Sequence, residues 1–104
     1  MQEPPFTERE RTVEAEARRP FGADGQVQLR RWWIAHSGPD NGVSLMGYKV
    51  TKEMPPEQRV TGYEEEVIGA APDPTDDKVI YCTPEEALAD AIKRGGRPYE
   101  GVVA

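Results

Sequence analysis

The chain reads as a small α+β domain: an antiparallel meander of three to four strands, with one C-terminal helix packed on a face and a charged N-terminal arm in front. Three observations predict this. Alternating apolar and polar residues run from Gln26 to His36 and resume at Val43 beyond a glycine-rich turn. A fully signalled helix follows Thr83. Its 104 residues leave room for one domain.

Residues 1–25 are expected to form an arm, either a frayed helix or disordered, with the domain proper at 26–104. Thr7 followed by Glu10 fits a capping box, Glu14 and Arg18 make an i,i+4 pair, and Pro20 is expected to stop any helix. Val13, Ala15 and Ala17 do not make an apolar stripe, so such a helix has little to pack with.

In the first strand Arg30 and Trp32 fall on one face and Arg31 and Trp33 on the other. The segment 37–42 (Ser-Gly-Pro-Asp-Asn-Gly) supplies turn chemistry, and Val43–Thr51 reads as the second strand. Pro55 and Pro56 break the pattern. Val60–Gly69 reads as a third strand and Val79–Cys82 as a short fourth. Thr83, Pro84 and Glu86 then open a helix that Gly95 and Gly96 close. Its stripe of Ala87, Leu88, Ala91 and Ile92 should lie on the sheet, with Glu85, Asp90, Lys93 and Arg94 in water.

Composition narrows the functions. One cysteine excludes an internal disulfide framework and favours a reducing compartment, with the cytoplasm the expected location. The N-terminus lacks the pattern of a signal peptide, and no apolar run approaches the length of a membrane span. The net charge of −6 falls wholly in residues 32–104, and the eight acids against Arg59 alone between Glu53 and Asp77 disfavour a phosphate-backbone partner on that surface.

Chemistry-bearing residues are sparse, so no catalytic residue, metal ligand or cofactor is expected and the chain reads as a binder, not an enzyme. His36 beside Asp40 and Asn41 lacks a nucleophile nearby in sequence. Cys82 sits just before a helix N-terminus, a place that can activate a thiol, yet its apolar neighbours favour burial. Asp73, Asp76 and Asp77 miss the spacing of a calcium loop.

The leading reading is a protein-protein interaction module, an accessory subunit or inhibitor of a larger assembly, touching its partner through Arg30, Arg31, Trp32, Trp33, Glu64 and Glu66. Single-stranded nucleic-acid binding through the Arg/Trp strand is the first alternative. A second makes Glu64, Glu66 and the acidic loops a mimic that fills the basic groove of a nucleic-acid-binding protein. An exposed strand edge would also permit a homodimer.

Overall fold

The computed structural model describes residues 3–36, 38–39, 42–60, 64–75, 81–100 and 102. The element order is α1 (Glu8–Phe21), β1 (Val27–Ala35), β2 (Val43–Glu53), β3 (Glu65–Ala71) and α2 (Pro84–Arg94), with one 3-10 turn at Pro56–Gln58. The strands form an antiparallel sheet in the order β1-β2-β3, an α+β fold as the patterning predicts. No helix among the described residues is long and apolar enough to cross a membrane.

Both helices lie on one face of the sheet, α1 over β1 and α2 over β3 and β2. An ion pair between Arg9 and Glu85 joins their first turns. At the other end the Phe21 ring lies so close to Gly96 that a Cβ there would sit 2.7 Å from it. The helices therefore run in the same direction. Between them and the sheet lies the main core, which includes Val13, Ala17, Val27, Leu29, Tyr48, Val50, Ile68 and Leu88.

Residues 8–21 are thus part of the core and not an arm set apart from it. The capping box of Thr7 and Glu10 and the Glu14–Arg18 pair both form, but the helix continues through Pro20 to Phe21. What the apolar count overlooked is that Glu10 completes the buried stripe with Val13 and Ala17.

In α2 the capping box, the proline at the first turn and the left-handed Gly95 all form. Ala87, Leu88 and Ala91 are buried, whereas Ile92 is 59% exposed. Asp90 and Arg94, expected in water, are half-buried against the sheet edge and Tyr99. Gly69 explains how α2 can approach β3 so closely, since a Cβ there would stand 2.5 Å from the Ala91 Cβ.

The third strand begins later than expected, at Glu65, and runs to Ala71. Val60 makes only an isolated bridge, and residues 61–63 lie outside the described set. The expected fourth strand falls partly on residues 79 and 80, also outside that set. Tyr81 and Cys82 are not in a strand, although the Cys82 N–H donates to the Met46 carbonyl.

Three side chains and one backbone amide cover the two edges of the sheet. At β1 the Leu29 N–H donates to Glu14 and the Val27 carbonyl accepts from Arg18. At β3 the Ala70 N–H donates to Asp90, and the Val67 carbonyl accepts the Tyr99 N–H. A strand adding at either place would have to displace these groups.

Candidate functional site

The six residues expected to touch a partner are divided between the two sides of the sheet, as the alternation of the first strand predicts for four of them. Arg30 and Trp32 stand on the helix-free face, as alternation requires. Arg31 and Trp33 stand on the helix side. Glu66 also faces away from Val67 and Glu65 by alternation, and Glu64 is exposed just before β3.

On the helix-free face the Arg30 guanidinium reaches across β2 to Glu65 at 2.7 Å. Lys49, paired with Arg30 in the β1-β2 register, places its ammonium 4.6 Å from the centre of the Trp32 ring. Such a cation over an indole is worth about 0.5–1 kcal/mol where water reaches it. Arg30, Lys49 and Glu65 line a shallow concavity of about 370 Å³. Among the described residues no carboxylate pairs with Lys49, and burial lowers its pKa. Beside Trp32, Tyr99 and Val102 of the C-terminal segment pack on Val67 and Ala70. Tyr99 is anchored there by a hydrogen bond to Asp90 at 2.6 Å and by Arg94 over its ring. Burial and the Asp90 carboxylate both raise the Tyr99 pKa.

On the helix side Arg31 is not available to a partner through its charge. Its side chain is 5% exposed and Glu10, its counterion, 4%. The pair is bidentate, Nε to Oε2 and Nη2 to Oε1, each 2.7 Å. Tyr48 donates to Oε2 and the Thr7 N–H to Oε1, so Glu10 accepts four hydrogen bonds. The Arg31 guanidinium holds the Glu10 carboxyl down at about 2, against the cost of burial. Burial, reinforced by Glu10, pushes the Tyr48 phenol up to about 12.

Arg31 also donates to the carbonyls of Pro4 and Pro5, and the Trp33 indole N–H donates to Glu3. An open groove of about 480 Å³ runs beside this segment, with Pro4, Trp33, Leu45 and Tyr48 in its walls.

The remaining candidates show little chemistry. His36 is exposed, with Nε2 2.6 Å from the Ser44 hydroxyl, while Asp40 and Asn41 lie outside the described residues. Cys82 is half-buried against the core, and burial raises its thiol pKa, the opposite of activation. Asp73 accepts from the backbone and hydroxyl of Thr75; Asp76 and Asp77 are outside the described set. Among the described residues no three metal-ligating side chains converge.

Lys49 and Glu65 were not singled out from the sequence. A hairpin register aligning Arg30 with Lys49 would have found the lysine. Glu65 lies between Glu64 and Glu66, and strand alternation puts it on the face opposite theirs, where only the register across β2 shows Arg30 within reach. No protein-family model, curated protein or solved structure matches the chain.

Proposed function

We propose that this protein is a small protein-binding module, an accessory subunit or inhibitor of a larger assembly, and that its contact surface is the helix-free sheet face. The observation that supports the reading is the group of Trp32, Lys49 and Arg30: a half-exposed indole carrying a partly desolvated lysine without a carboxylate partner among the described residues. Tryptophan and arginine are the side chains over-represented where interfaces concentrate their energy. A partner acid meeting Lys49 would replace the hydration that burial has already removed.

Affinity purification from native lysate, followed by repetition with Trp32→Ala and with Lys49→Glu, tests the reading. A stoichiometric protein retained by the wild type and by Ile92→Ala, but bound about thirtyfold more weakly with Trp32→Ala, is the expected result, matching a hot-spot loss of roughly 2 kcal/mol. Equal retention by every variant would remove this face from the account.

A second reading rests on the same trio, since a sheet face with a stacking ring and two cations is also what single-stranded nucleic acid uses. Quenching of tryptophan fluorescence by a short oligonucleotide at low salt, abolished by Trp32→Ala and weakened by added salt, would favour it over a protein partner.

A further inference from the structure

Residues 3–6 are held in a way unlike the rest of the fold. One guanidinium takes the carbonyls of two consecutive prolines, Pro4 and Pro5, and the Phe6 ring lies with its centre 5.0 Å from the same group. The Trp33 indole N–H takes the Glu3 carboxylate. Consecutive prolines favour the extended left-handed helix, whose carbonyls point outward and lack internal partners. A groove with an indole and a fixed donor is the usual receptor for such a segment.

The donor of the groove is positioned by groups outside residues 3–6. Glu10 fixes the Arg31 guanidinium through two hydrogen bonds and is itself fixed by Thr7 and Tyr48. Glu3, Pro4 and Pro5 remain exposed on their outer side, and the space between Pro4 and the Leu45–Tyr48 wall stays open. We infer that the Arg31–Trp33 groove is a docking site for an extended partner peptide with an acidic residue ahead of two prolines, and that Glu3–Phe6 occupies it as a tethered ligand. A partner segment of this type binds by displacing residues 3–6. This site is separate from the helix-free face and does not depend on it.

The test uses the full-length ¹⁵N-labelled protein and an acetylated peptide of residues 3–8, Glu-Pro-Pro-Phe-Thr-Glu, and follows the two tryptophan indole N–H signals. A tethered segment competes at an effective concentration of the order of millimolar. The peptide should therefore bind the full-length variant Glu3→Ala/Phe6→Ala, whose strap is weakened, at least about tenfold more tightly than wild type. The Trp33 signal should move and the Trp32 signal stay still. A peptide with alanine at both proline positions should bind several-fold more weakly. Should the double variant fail to fold, Glu3→Gln replaces it, altering the Trp33 contact alone. The inference is overturned by a Trp33 signal that does not move at millimolar peptide, by equal affinities for wild type and variant, or by equal binding of the alanine peptide.

Discussion

Glu10 and Arg31, separated by 21 residues, form a bidentate pair in which both side chains are almost wholly removed from water. Because the carboxylate accepts from Thr7, Arg31 and Tyr48 together, the pair ties α1, β1 and β2 at one point. A buried pair of this kind adds little net stability over an apolar replacement, but it is costly to break from one side.

Glu10→Ala is accordingly expected to destabilise the fold by about 3–5 kcal/mol, because it strands the Arg31 charge. Replacing both partners with leucine should recover most of that loss. Denaturant melts of wild type, the single variant and the double variant check this; a double variant no more stable than the single would mean that the Arg31 contacts to Pro4 and Pro5 matter more than the stranded charge.

The same carboxylate sets the acid limb of stability. Its pKa in the fold, about 2, is below its unfolded value, so the unfolded chain binds the proton more readily. The contribution is complete above the unfolded pKa and is lost as pH falls from about 5 towards 2, by an amount on the order of 3 kcal/mol. Tyr48 works at the other end: its pKa is raised to about 12, so its share is lost as pH rises from about 10 to 12. Thermal melts across this range should show both slopes, and Glu10→Gln should flatten the acid one and, because Glu10 also helps to raise the Tyr48 pKa, reduce the alkaline one in part.

Gly69→Ala is expected to cost about 1–3 kcal/mol by overpacking, since its Cβ would meet both the Cβ and the backbone nitrogen of Ala91. Ile92→Ala, on the exposed side of the same helix, should change stability by less than about 0.5 kcal/mol. Comparable midpoints for the two would contradict the close approach of α2 to β3.

Asp90→Ala should remove about 1–3 kcal/mol, leaving the Ala70 N–H without its acceptor and freeing Tyr99. It also opens the β3 edge. Light scattering behind size exclusion is expected to show concentration-dependent association for this variant and less for the conservative Asp90→Asn.

How much of this was legible in the sequence depends on how far each signal reaches. Both ends of α2, the span of β1 and the division of Arg30 and Trp32 from Arg31 and Trp33 follow from caps and alternation, which act over a few residues. The packing of α1 was hidden because its inward stripe contains an acid, acceptable only because Arg31 and Tyr48 arrive from elsewhere in the chain. Asp90 misled for the same reason, its partners being the Ala70 amide and the Tyr99 hydroxyl. The cation beside Trp32 required the strand register, which shifts between Trp32 and Trp33 and again between Val50 and Thr51.

The groups that seal the sheet come from α1, which lies before it in the chain, and from α2 and the segment after it. During synthesis from the N-terminus, Glu14 and Arg18 leave the ribosome ahead of β1, so that edge has its cover in hand as soon as the strand appears. The β3 edge has none until Asp90 and Tyr99 emerge about 20 to 30 residues later. At the elongation speeds of about 5–20 residues per second that is an interval of seconds, in which the nascent chain presents an unguarded strand to its neighbours on the same message.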